Sequence, residues 1–94
     1  MRVLEEAAAE LETAAAWYRA EGGDDVAVRF VDRVAQAYAR VEAGPLRWPL
    51  RAPGLRRCLV TGFPFSVWYR VAPDDVEVVA IAHQQRRPGF FLGR

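Results

Sequence analysis

The stretch FSVWYRV, Phe65 to Val71, decides the fold. Phe65, Val67, Tyr69 and Val71 alternate with Ser66, Trp68 and Arg70, the two-residue period of a β-strand with one face on a core. Working outward, GFP at 62–64 is a turn, and LRRCLVT at 55–61 is a preceding strand rich in β-forming residues. On the other side, APDD at 72–75 is a second turn, followed by VEVVAIAH at 76–83. That third strand is apolar at almost every position, so it should be central and covered on both faces. Sequential strands joined by short turns predict an antiparallel meander.

Upstream of Pro45 the period is helical. In VLEEAAAELETAAAWYRAE, residues Leu4, Ala7, Ala8, Leu11, Ala14, Ala15 and Tyr18 fall on one face. Alanine loses little side-chain entropy in a helix, and Glu5 and Glu6 suit the positive end of the helix dipole. Gly22 and Gly23 stop this helix, and Asp24 or Asp25 can cap a second one. The second helix carries Ala27, Phe30, Val31, Val34, Tyr38 and Val41 on its apolar side and ends at AGP, 43–45. LRWPLRAPG, 46–54, has two prolines and reads as an irregular connection. The expected class is α+β, one domain over 1–94, with an N-terminal helical hairpin packed on one face of a curved antiparallel sheet of three to four strands.

Helices would then cover one sheet face and leave the other open. The open face should present Ser66, Trp68 and Arg70, with Arg57 from the preceding strand nearby. An exposed tryptophan among arginines is the composition of a macromolecular contact. The bland alternative is that the C-terminal segment folds back over Trp68.

Composition narrows the function classes. The chain has 94 residues, all 13 of its basic residues are arginine, and its net charge is +1. Residues 1–46 hold 5 arginines against 9 carboxylates, whereas 47–94 hold 8 against 3. A basic back half points to an anionic partner, or to an ordinary solvated surface. Cys58 is single, which leaves no disulfide and no cysteine metal cluster, and fits a cytoplasmic location. Neither a membrane-length apolar run nor a signal peptide is recognisable. No Ser/His/Asp set, metal constellation or phosphate loop is present, and no cofactor is implied. Glu5, Glu6, Glu10 and Glu12 read as a solvated helix face.

The only histidine lies in AHQQRRPGFF, Ala82 to Phe91. His83 ends the third strand, on the face assigned to Val79 and Ile81. It is either a general base or a half-buried ring that closes the strand end. Arg86 and Arg87 follow, able to pair with carboxylates or another anionic partner, and Pro88 prevents the strand from continuing. Phe90 and Phe91 read as tail anchors on the core.

Four segments together, ELETAAAWY, RFVDRVAQAYARVEAGPLRWP, LRRCLVTGFPFSVWYRV and VVAIAHQQRRPGFF, carry a family resemblance over nearly the whole chain. The sequence resembles the ParE/RelE superfamily of type II toxin–antitoxin toxins, most closely its ParE-like, plasmid-stabilisation branch. The resemblance implies a helical hairpin against a curved sheet and a cognate antitoxin that wraps the toxin. Family members usually begin with a strand. Here only Met1 to Val3 precede the helix, so that strand is very short, or it is missing because the start lies further upstream.

Two mechanisms are implied within the superfamily. ParE-like members bind and inhibit DNA gyrase, whereas RelE-like members cleave mRNA on the ribosome. RelE-like nucleases use basic groups along the open face and a C-terminal tyrosine. This sequence has Arg57 at one such position but Leu59 and Ser66 at others, and GFFLGR where the tyrosine would stand. The expectation is therefore a toxin that acts by binding, with Arg57, Trp68, Arg70, Arg86 and Arg87 contacting antitoxin or target. The alternatives are an mRNA endonuclease using His83, Arg86 and Arg87, and an inactive member that only binds antitoxin.

Overall fold

A computed structural model describes all residues, 1–94. The chain runs β1 (Arg2–Val3), α1 (Glu5–Gly22), α2 (Asp24–Ala43), β2 (Leu50–Ala52), β3 (Leu55–Leu59), β4 (Phe65–Val71) and β5 (Val76–His83), and ends in a short 3₁₀ turn, Pro88–Phe90. The sheet has five strands in the order β1-β5-β4-β3-β2. The antiparallel meander is as expected, with the helical hairpin on one face. The first strand is present and very short, two residues, one of the two readings the sequence left open. Two details correct the expectation of an antiparallel sheet of three to four strands. That first strand runs parallel to β5, which makes the five-stranded sheet mixed. The connection at 46–54 contributes a strand of its own, because Leu50–Ala52 turns back on Leu55 and Arg56 through Pro53 and Gly54.

Gly23 separates the helices with φ of 89°, a conformation that costs an L side chain and suits glycine. Gly23 itself occupies the N-cap of α2, and neither expected aspartate caps through its side chain. Asp24 and Asp25 lie instead in the first turn, where the dipole favours them.

Ala7, Ala14 and Ala15 from α1 and Phe30, Val34, Ala37 and Val41 from α2 meet Cys58, Val67, Tyr69, Val78 and Ile81 of the sheet in the main core. Small alanines let α1 lie close to the strands. Val31, expected inside, is exposed. Tyr69 spans the core and donates its hydroxyl to the Pro45 carbonyl at 2.7 Å.

Opposite Trp68 and Tyr69, β5 carries one extra residue: Trp68 pairs with Ala80 and Tyr69 with Val78, so Val79 is bulged. A bulge bends its strand and increases the local twist. It also breaks the alternation of β5. Val78 and Ile81 face the helices, whereas Val79, Ala80 and Ala82 belong to a second cluster on the opposite face with Leu55, Trp68 and Phe91. Val79 and Ile81 therefore do not share a face.

Tyr38 reaches the interior with its hydroxyl buried and without a hydrogen-bond partner. Burial pushes its pKa from 10.0 up to about 12. Between these values the unfolded state has released a proton that the folded state still holds, so stability falls as pH rises from about 10 to about 12. Tyr38→Phe removes the unpaired hydroxyl. It should raise stability by about 1 kcal/mol at neutral pH and flatten the alkaline decline, both read from denaturant unfolding at several pH values.

Candidate functional site

The expected open face is not open. Trp68 is 4% exposed and Phe91 1% exposed. Their rings lie 5.1 Å apart at 53°, so the C-terminal segment covers the indole. The expectation that Trp68 is a free contact residue is therefore corrected. Its polar neighbours are also engaged. Arg70 lies in register with Glu77, and Nε donates to the carboxylate at 2.9 Å. Glu77 also pairs with Arg2 on its other side, forming a cation–anion–cation row across β4, β5 and β1. Arg57 is partly exposed, with its guanidinium 5.8 Å from the Trp68 ring centroid.

His83 closes the end of β5. It pairs with Phe65, and the two rings meet edge to face at 5.4 Å. Its Nδ1 accepts the Gln85 backbone N–H at 3.2 Å, and its carbonyl accepts the Arg86 N–H at 2.9 Å. A ring accepting at Nδ1 carries its neutral-state proton on Nε2. No side chain hydrogen-bonds the ring, so His83 lacks the positioned partner that defines a base in a catalytic pair. Strand rise puts Arg70 about 17 Å along the sheet from the His83 end. The structure thus keeps Arg86 and Arg87 beside His83, and places Arg57 and Arg70 elsewhere.

Beside His83 lies a groove of ≈ 590 Å³ between α1 and the C-terminal segment. Ile81 and Ala82 line it together with His83, Arg86, Trp17 and Phe90. Trp17 and Phe90 are each 59% exposed. Arg86 stacks on Phe90 with its guanidinium carbon 4.0 Å from the ring centroid. Arg87 is exposed at the start of the 3₁₀ turn. Neither arginine forms an ion pair, so both remain available to anionic groups of a partner.

The groove's far wall is held by a clip. Glu10 of α1 accepts the Ile81 backbone N–H at 3.1 Å and the Arg94 guanidinium at 2.8 Å. Arg94 also donates to the Val79 carbonyl at 3.1 Å. Beyond the two residues of β1, side chains of α1 and the tail thus occupy backbone groups on the outer edge of β5. The sequence reading missed Glu10, Arg94 and Trp17. Glu10 looked like one solvated carboxylate among four, and Trp17 falls outside the apolar stripe. That last fact was itself a usable signal, since a large aromatic off the core face has to be exposed.

The architecture is a helical hairpin on a five-stranded sheet, with an exposed aromatic groove beside the unpaired Arg86 and a histidine engaged by its own backbone. The match to a family model is specific: ParE toxin of the type II toxin–antitoxin system, parDE, over residues 1–88. The chain belongs to this family. A solved structure described as the chromosomal ParDE toxin–antitoxin system from P. aeruginosa is similar in fold, with a TM-score of 0.79 at 21% identity, covering 87% of this chain and 91% of that chain. No curated protein sequence gives a significant match.

Proposed function

We propose that this chain is the growth-inhibitory toxin of a ParDE-type module, that it acts by binding DNA gyrase, and that a cognate antitoxin seated in the α1–tail groove holds it inactive. The observation that carries the reading is the groove, in a chain whose family is that of ParE toxins. It offers two large exposed aromatic side chains, Trp17 and Phe90, beside the unpaired Arg86. Aromatic and arginine groups are the residue types that dominate protein–protein binding energy. The engaged state of His83 favours binding over acid–base chemistry.

The test is a supercoiling assay with the purified chain. Inhibition of gyrase with transcripts left intact, relieved by the antitoxin from the neighbouring reading frame, is the expected result. Transcript cleavage on ribosomes that disappears in His83→Ala would overturn it, as would growth that continues when the chain is expressed alone. Trp17→Glu should weaken antitoxin binding about 30-fold, the equivalent of a hot-spot loss of about 2 kcal/mol, measured by calorimetry. An unchanged affinity would place the antitoxin elsewhere on the toxin.

A further inference from the structure

Arg2, Arg19, Arg70 and Arg94 are the arginines that form ion pairs, out of 13. The unpaired ones are not scattered evenly. Residues 33–57 hold six arginines and a single carboxylate, Glu42, and Glu42 lies 3.6 Å from the N-terminal ammonium. Three of the six come from three different elements to line one cleft of ≈ 480 Å³: Arg40 of α2, Arg51 of β2 and Arg57 of β3. No aspartate or glutamate lines it. The cleft lies where β3 runs beyond its pairing with β2, which reaches only Leu55 and Arg56. Arg40 is fixed there by donating to the Leu59 carbonyl at 3.0 Å. Arginines on an edge strand also discourage strand pairing, but that role does not require guanidinium groups from three elements around one concavity.

We propose that this cleft is a phosphate-binding site that takes the backbone of duplex DNA. The chemistry favours phosphate, because a guanidinium keeps its charge at all accessible pH values and presents a planar fork of donors. The aromatic groups at the cleft favour a duplex over a single strand. Single-strand binding relies on free ring faces for base stacking, and here the rings are engaged. Arg47 lies over Trp48 at 5.2 Å, with Tyr69 edge-on to the same indole. Phe63 meets both Tyr18 and Phe30 edge to face. What remains is backbone contact, which binds without reading sequence.

The test is fluorescence anisotropy with a short labelled duplex of mixed sequence, titrated across salt concentrations without gyrase. Three phosphate contacts predict a slope of log K against log salt of about −3. Arg51→Ala/Arg57→Ala should reduce that slope by about 2, and the exposed change Arg51→Gln alone by about 1. Arg29→Ala, a charge loss on α2 outside the cleft, should leave it unchanged. Thermal melting monitors folding of the variants, and Arg51→Gln keeps the test decisive if the double variant unfolds. Absence of binding at low salt overturns the proposal, as does an equal loss in Arg29→Ala. Tighter binding of single-stranded RNA or of an acidic peptide, lost in the same variants, would also overturn it. Since no gyrase is present, failure here leaves gyrase inhibition standing, and failure of gyrase inhibition leaves this site standing.

Discussion

Phe91→Ala should destabilise the fold by about 3 kcal/mol, the low end of the range for truncating a buried phenylalanine. The second cluster is small: Phe91 packs with Trp68, Leu55, Val79, Ala80 and Ala82. It is the tail residue in that cluster, and without its ring the indole of Trp68 meets solvent. The low end applies because the site lies near the surface and the short 3₁₀ turn can settle partway into the space. The stability loss is read as a shift in the denaturant midpoint. Exposure is read from Trp68 emission with Trp17 and Trp48 replaced by phenylalanine. Emission should move to longer wavelength and become quenchable by iodide. If neither quantity changes, the tail does not serve as the cover of this face.

Glu10→Ala should cost about 2 kcal/mol and should couple strongly to Arg94. The carboxylate serves the Ile81 amide and the Arg94 guanidinium together. Side-chain exposure of the pair is low, 19% for Glu10 and 16% for Arg94. Removing one partner of a mostly buried pair leaves the other charge uncompensated, which costs more than the pair itself contributes. The prediction is set below the fully buried range because both groups retain some contact with water. In a double-mutant cycle, Glu10→Ala and Arg94→Met should be less destabilising together than the sum of the separate losses, by about 1 kcal/mol or more. Strict additivity would mean that the two residues do not act as one clip.

Much of this architecture is legible from periodicity. The alternation of Phe65, Val67 and Tyr69, and the helical stripe from Ala27 to Val41, place the main core almost as it stands. Three things were not legible, each for a physical reason. The bulge at Val79 has no local mark, because VEVVAIAH is apolar on both sides and hides a change of face. A two-residue strand such as Arg2–Val3 is too short to show any period. The burial of Trp68 depends on a tertiary contact with Phe91, and alternation along β4 says which way an indole points but not what lies above it. For the same reason the arginines were visible as a charge imbalance, while their division into paired and unpaired groups waited on the fold. Arg70 and Arg94 look alike in sequence to Arg57 and Arg86, and only the positions of Glu77 and Glu10 separate them.

The extreme shortness of β1 bears on how the chain assembles. The helical hairpin and the β3–β4–β5 meander are each closed by neighbours along the chain, and such local contacts form early. The contacts of Arg2 and Val3 with Glu77 and Val78 join distant parts of the chain and must overcome a long loop closure first. The tail comes back to the same strand, with Arg94 reaching Val79. Strand β5 is therefore where Arg2–Val3 and Arg94 are both tied, on the adjacent residues Glu77 to Val79. Loosening either tie leaves the hairpin and meander contacts in place, so amide hydrogen exchange is expected to be faster along the outer edge of β5 than in β4.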